Sequence, residues 1–263
     1  MPSILRVQSL SKSFGGLKAV QDFSLDLAEK DLQGLIGPNG AGKTTVFNLL
    51  TGVYKPDTGT ITLDKQNITG LRPSKIAAAG LSRTFQNIRL FGELSVLDNV
   101  RLGCHVRSGG TMAGAIAHSM FNRAEEQAIL ARARELLGVF NLNPLEDDQA
   151  RNLCYGDQRR LEIVRALATE PKVLLLDEPA AGMNPQEKKE LAAAIRGLRD
   201  RFNLTILLIE HDMGLVMEIC EKITVLDYGE TIAVGTPKEI QTNPKVIEAY
   251  LGEAEPPEGS KAA

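Results

Sequence analysis

Short apolar runs rich in Val, Ile and Leu stand out along the chain at 32–36, 173–176, 205–209 and 223–226. Each has the length of a strand. Those from 173 onward are continuous rather than alternating, the pattern of strands covered on both faces in a parallel sheet. Helical periodicity lies between them and is clearest from Pro185 to about residue 201, where Leu191, Ile195 and Leu198 form one stripe opposite charged positions. Asn184 as N-cap, Pro185 in the first helical position and Glu187 three residues past the cap mark where that helix starts. Strands alternating with helices predict an α/β fold with right-handed crossovers.

The first 30 residues follow another rule. Leu5, Val7, Val20, Phe23, Leu25 and Leu27 suggest half-buried strands in a small antiparallel layer. From about Ser95 to Ala168 no convincing strand is visible. That stretch has a helical pattern at 123–137 and a second helix from about Asp157, so it predicts a helical subdomain inserted into the α/β core. The expected division is an α/β core with its antiparallel layer at 1–92 and 169–252, a helical subdomain at 93–168, and a disordered tail at 253–263. The tail is expected to be disordered because GEAEPPEGSKAA is small, polar and Pro-containing.

Composition removes several classes of protein. With 263 residues, 43% hydrophobic and 24% charged, the chain can bury a core without staples. A net charge of −3 gives no reason to expect a strongly cationic nucleic-acid or membrane binder. Cys104, Cys154 and Cys220 are widely spaced and form no CxxC pair, which suits a reducing compartment and predicts neither a zinc site nor a disulfide framework. No apolar run reaches the roughly 18 residues of a membrane span, and no signal-peptide pattern opens the chain. A cytosolic polypeptide is expected.

The chemistry concentrates in three places. Gly37-Pro38-Asn39-Gly40-Ala41-Gly42-Lys43-Thr44 matches G-x-x-x-x-G-K-[ST] at every fixed position, between an apolar strand and a helix starting near Lys43. Glycines let successive N–H groups turn inward around a phosphate chain, and a helix N-terminus adds positive potential. Lys43 is placed to neutralise the β- and γ-phosphates of a bound triphosphate, and the Thr44 hydroxyl to ligate Mg²⁺. Next, the apolar strand at 173–176 ends in Asp177-Glu178, delivering two carboxylates to the sheet edge where ligands bind. Asp177 is expected to hold Mg²⁺ and Glu178 to orient the attacking water. Finally, His211 follows another central strand to the same edge, within reach of a γ-phosphate. Gln86 by itself reads as a surface polar residue.

In combination these segments resemble the ATP-binding cassette of ABC transporters, from about residue 4 to 251. The ordered motifs are Phe14 as the aromatic stacking residue, the P-loop at 37–45, a glutamine loop at Gln86, a signature segment at 153–158, Asp177-Glu178, a D-loop at 181–184 and a switch histidine, His211. Phe14-Gly15-Gly16-Leu17-Lys18-Ala19-Val20, the run RTFQNIRLF at 83–91, and Tyr155-Gly156 followed by Arg159-Arg160-Leu161-Glu162 are similar to the ATPase subunit of branched-chain amino acid importers, the Liv type. The long stretch from Cys104 to Arg123 is also consistent with that type.

The resemblance implies a P-loop NTPase fold with a RecA-like parallel sheet, an N-terminal antiparallel β subdomain and an inserted α-helical subdomain. It implies ATP and Mg²⁺ as ligands. Nucleotide contacts fall to Phe14, Val20, Asn39, Gly40, Ala41, Gly42, Lys43, Thr44, Thr45, Tyr155 and Gly156, and metal contacts to Thr44, Gln86 and Asp177. Glu178, His211 and Gln86 are implied as the hydrolytic group. The implied partners are a second ATP-binding subunit, sister or identical, and two membrane-spanning permease subunits, with a solute-binding protein engaged indirectly and no nucleic acid. The implied location is peripheral, on the cytoplasmic face of the inner membrane.

The chain departs from the family at Cys154, Asp157 and Asn184. A thiol is a weak hydrogen-bond donor, and Asp157 puts a negative charge where a neighbouring subunit's phosphate approaches. The composite site using this signature is therefore expected to be weaker than the site on the chain's own P-loop. Two other readings remain open: a soluble cassette working in DNA repair or translation, and a non-hydrolysing regulatory nucleotide binder. A GTPase is excluded for lack of an Asn-Lys-x-Asp run.

Overall fold

The computed structural model describes residues 3–105 and 121–251. The chain begins with an antiparallel hairpin, β1 (Ser3–Phe14) and β2 (Leu17–Ala28), then enters β3 (Leu32–Ile36) and helix α1 (Lys43–Leu50). β4 (Thr58–Leu63), β5 (Gln66–Asn67), α2 (Pro73–Ala79) and β6 (Leu81–Arg83) follow. A helical section comes next, with α3 (Val96–Cys104), α4 (Phe121–Leu137) and α5 (Tyr155–Leu167). The chain returns through β7 (Val173–Asp177), α6 (Pro185–Phe202), β8 (Thr205–Ile209), α7 (Met213–Ile219), β9 (Lys222–Asp227) and β10 (Glu230–Gly235). α8 (Pro237–Gln241) and α9 (Pro244–Leu251) close the described chain.

Six strands form one sheet in the order β10-β9-β3-β8-β7-β6, in which β9, β3, β8, β7 and β6 run parallel and β10 pairs antiparallel at the edge. The second sheet is antiparallel, in the order β2-β1-β4-β5. The parallel strands read as unbroken apolar runs because alternate residues enter two different cores. Leu174, Leu176, Ile206 and Leu208 face α3, α5, α6 and α7, whereas Val173, Leu175, Leu207 and Ile209 face α1 and the antiparallel sheet. Both cores are filled by side chains with almost no exposed surface.

α6 starts where the capping pattern places it: the Asn184 side chain accepts from the Glu187 N–H at 3.0 Å, and Glu187 accepts from the Asn184 N–H at 2.8 Å. Two helices start two residues earlier than their patterns suggest, α4 at Phe121 and α5 at Tyr155. For α5 the reason is local, since Cys154 adopts an extended N-cap conformation and leaves the first turn to Tyr155, Gly156 and Asp157. α3 is capped by Ser95, whose side chain accepts from the Asp98 N–H at 3.0 Å. Most of the 104–123 stretch and the 253–263 tail lie outside the described residues. Among the described residues no helix is long and apolar enough to cross a membrane.

Candidate functional site

β3 ends at Ile36 and the chain turns at Gly37, where a Cβ atom would lie 2.0 Å from the Leu226 carbonyl oxygen on β9. At Gly42, with φ +103°, a Cβ would come within 2.5 Å of the Ala19 carbonyl. Only glycine satisfies both requirements. The same Ala19 carbonyl crowds Gly229, whose N–H donates to the Ala41 carbonyl at 3.0 Å and whose carbonyl accepts from the Gln21 N–H at 2.8 Å. The β1–β2 hairpin, the loop at 37–42 and the turn after β9 are thus joined backbone to backbone.

α1 leaves this loop with Gly42 at its N-cap and no side chain capping its first amides, so they remain available to an acceptor. Lys43 is only 6% exposed, and its ammonium donates to the Gly37 and Pro38 carbonyls at 2.7 and 2.8 Å. Burial lowers its pKa, while the nearby Glu178 and Asp177 carboxylates pull it back up. The lysine is held under the loop, with its charge aimed along the glycine-rich turn.

A cleft of about 700 Å³ opens above it. Phe14, Asn39, Gly40, Gly42, Lys43, Thr44, Thr45, Gln86, Glu178 and His211 line its wall, together with Lys18, Gln21 and Tyr228. Phe14 is 42% exposed at the end of β1, set edge-on to Tyr54 at 5.1 Å, and presents ring surface to the cleft. At the far side, Glu178 lies just past β7 with φ +48°. Its N–H donates to the Ile209 carbonyl at 2.9 Å and so extends the β7–β8 pairing by one residue. Its carboxylate is shared: Oε2 accepts from Gln86 Nε2 at 2.9 Å, and Oε1 lies 2.7 Å from His211 Nε2. The three side chains come from the C-terminal ends of β6, β7 and β8, which are neighbours in the sheet.

Asp177 is placed differently. It is 2% exposed, does not line the cleft, and is paired at 2.5 Å with the buried Arg83 guanidinium. Arg83 also donates to Asn48 on α1 at 2.7 Å and stacks between the Phe47 and Phe85 rings. Strand alternation explains this, because Val173, Leu175 and Asp177 share the face that looks toward α1. The Thr44 hydroxyl on the cleft wall and the Asp177 carboxylate at the end of β7 are donors of the kind Mg²⁺ takes, one or two carboxylates plus substrate phosphates and several waters. Among the described residues no cluster of three or more His, Cys, Asp or Glu builds an all-protein cage.

Two residues expected at the nucleotide do not bring a side chain to it. Val20 is 1% exposed and packs with Phe23 and Leu25 in the core under the antiparallel sheet. Ala41 is 2% exposed and packs into the same core. Val20 is corrected to a core residue: the alternation that makes β2 a half-buried strand points it inward.

Tyr155 and Gly156 also lie away from the cleft, at the N-terminus of α5. Tyr155 is 46% exposed, and its ring packs over Gly182. The Cys154 thiol is turned to Asp157 Oδ2 at 3.2 Å, and Asp157 Oδ1 accepts from Arg160 at 3.2 Å. The charge of Asp157 is therefore answered within its own helix.

Several residues that matter to the geometry carried no motif. Glu210 is 3% exposed; it accepts from the Ala180 N–H at 2.7 Å and from the His211 and Asp212 N–H groups at 3.1 and 3.4 Å. Burial pushes its pKa up despite these donors. A carboxylate directly after an apolar strand was the available signal, the same one that marked Glu178. Asp212 caps α7 and accepts from Lys188 at 2.6 Å, and that bond holds its carboxyl below the usual range. A second groove of about 470 Å³, mostly apolar, runs between α2, β6 and the helical section past Phe85, Phe91, Leu102, Glu162 and Arg165.

The ABC transporter family model matches residues 20–181, and a model described as branched-chain amino acid ATP-binding cassette transporter matches 230–256. The chain belongs to the ABC transporter family. It is 52% identical over 252 residues to the high-affinity branched-chain amino acid transport ATP-binding protein LivG of Salmonella typhimurium, covering 95% of this chain and 98% of the relative. The corresponding protein BraF of Pseudomonas aeruginosa is 49% identical over the same coverage. A crystal structure of the ADP conformation of an ATP-binding cassette of an ABC transporter superposes with a TM-score of 0.83 at 32% identity, covering 96% of this chain and all 100% of that one.

Proposed function

We propose that this chain is the ATP-hydrolysing subunit of an importer for branched-chain amino acids. The observation that carries the reading is the convergence of Gln86 and His211 on the Glu178 carboxylate across the cleft from Lys43. Likeness to LivG and BraF along nearly the whole chain supports the cargo class.

Phe14 stacks the adenine, while the 37–45 loop and Lys43 take the phosphates. Thr44 and Asp177, with Gln86, would hold Mg²⁺, which would offset the negative charge of the phosphate oxygens, with Asp177 releasing its Arg83 partner to do so. Glu178 orients a water toward the γ-phosphate, and His211 holds the Glu178 carboxylate in place. One side of the cleft stays open, and the outward-facing Tyr155–Gly156 turn of a second cassette closes it and excludes solvent. Nucleotide then favours the closed pair, and hydrolysis removes that bias. The apolar groove beside Phe85 and Phe91 receives a membrane-spanning permease subunit, placing the chain peripherally on the cytoplasmic face of the membrane.

Glu178→Gln tests the reading. Expected are retained ATP binding, a loss of phosphate release of about 100-fold or more, and accumulation of closed dimer on size exclusion. Undiminished turnover removes Glu178 from the chemistry.

A further inference from the structure

The segment carrying Gln86 is gripped by one helix at four backbone groups. Arg159 of α5, 4% exposed, donates to the Phe85 carbonyl at 2.8 Å and to the Gln86 carbonyl. Glu162, one turn further on and 2% exposed, accepts from the Phe85 and Arg89 N–H groups, both at 3.3 Å. The two side chains lie 3.5 Å apart. Arg159 has one more partner, the Tyr155 phenol oxygen, which accepts from Nε at 3.1 Å and from Nη2 at 2.8 Å. Tyr155 is half exposed at the signature end of α5, whereas Gln86 donates to Glu178 in the cleft.

Hydrogen bonds from Tyr155 through Arg159 to the Gln86 carbonyl, and from the Gln86 side-chain amide to Glu178, therefore connect Tyr155 to Glu178 through the covalent frame of Gln86. A guanidinium suits the middle of that run: its planar fork reaches two carbonyls and a phenol from one buried position, which a single-point ammonium does not do with fixed geometry. Glu162 fixes the N–H side of the same segment, so the loop has little freedom to shift without moving α5.

We propose that Arg159 is a positioning residue for ATP hydrolysis. It sets the Gln86 amide against Glu178, and through Tyr155 it makes that setting depend on what covers the signature turn. The inference rests on the roles given to Gln86 and Glu178 under the proposed function. A second cassette closing over Tyr155 then adjusts the water-orienting carboxylate of this chain's own cleft, as well as completing the partner's.

The test is a double-mutant cycle on the full chain, assembled with its co-purifying cassette and membrane subunits, measuring kcat and KM for Mg-ATP. Arg159→Gln is expected to lower kcat about 10- to 100-fold, with KM for ATP within about twofold of the parent. In a Gln86→Ala background the same substitution is expected to cost less than about threefold, because its route to Glu178 is already broken. Tyr155→Phe is expected to cost about threefold alone and nothing measurable in that background.

Losses that multiply in the double variants overturn the proposal, as does a kcat within twofold of the parent for Arg159→Gln. If Arg159→Gln fails to fold, the Tyr155→Phe cycle decides by the same criterion, since deletion of one hydroxyl leaves the ring packed on Gly182. Unchanged phosphate release by Glu178→Gln overturns the functional reading and this proposal together. Multiplying losses with a dead Glu178→Gln overturn the proposal alone.

Discussion

The P-loop cleft and the signature turn, the two halves of a cassette's chemistry, are built in opposite ways. The cleft is prepared from within: Lys43 is already desolvated, the loop is locked against two neighbouring segments, and Glu178 is held from both sides by Gln86 and His211. The signature turn looks outward, with Tyr155 half exposed and the Cys154 thiol and Asp157 carboxylate spent on contacts within the turn and its helix. Preorganisation is strongest in the cleft and weakest at the turn proposed to meet a second cassette. Substitutions in the first half should therefore disturb the isolated chain, and those of Cys154 and Asp157 in the second only the pair.

Lys43→Ala makes the sharpest cut. It removes the ammonium held beneath the loop, and ATP affinity of the isolated chain is expected to fall about 100-fold, a loss of about 2.7 kcal/mol of the size that charge-assisted hydrogen bonds contribute. Titration calorimetry reads it, and unchanged affinity would break the comparison at its first half. Gly42→Ala tests the locked junction rather than the charge. A methyl 2.5 Å from the Ala19 carbonyl at φ +103° must displace backbone, and a cost of about 2 kcal/mol is expected, or a melting temperature lower by about 4–8 °C for a chain of this size.

The shoulder of the cleft carries a pH signature. Lys188 depresses the Asp212 carboxyl below its ordinary value, so the folded state binds the proton less readily than the unfolded one. The resulting stability is present in full above the ordinary carboxylate value of about 4 and is lost as pH falls through the depressed one. Urea midpoints of Asp212→Asn should therefore show a flatter acid limb than the parent, by up to about 1 kcal/mol for a partly exposed pair. The smallest effect belongs to the signature. Asp157→Asn should leave ATP affinity and melting of the isolated chain unchanged, while closed dimer forms at ATP concentrations lower by about threefold. A change in the isolated chain would show that the turn is not the outward half.

How far the sequence discloses all this depends on the range over which each requirement acts. β3, β7 and β8 are legible because burial on both faces demands an unbroken apolar run. β6, at three residues, and β10, a half-exposed edge strand, escape because neither is long or apolar enough to rise above the pattern around it. Gly37 and Gly42 of the P-loop announce themselves because a backbone crowded by Leu226 and Ala19 accepts no other residue. Arg83, Arg159 and Glu162 fall in segments that carry the family resemblance, but nothing local shows what they hold. Arg159 and Glu162 grip backbone atoms more than 70 positions away, and any residue type supplies a carbonyl or an N–H. Val20 marks the limit of reading by motif. It sits inside a stretch that resembles a nucleotide-contacting one, yet its place in the alternation of β2 sends it to the core.

Glu210 ties these parts together. One sequestered carboxylate receives the amide of Ala180, two residues beyond Glu178, and the amides of His211 and Asp212. The turn after β7 and the turn after β8 are consequently tied to one buried acid, so the backbone on either side of the Glu178–His211 pair shares a single anchor.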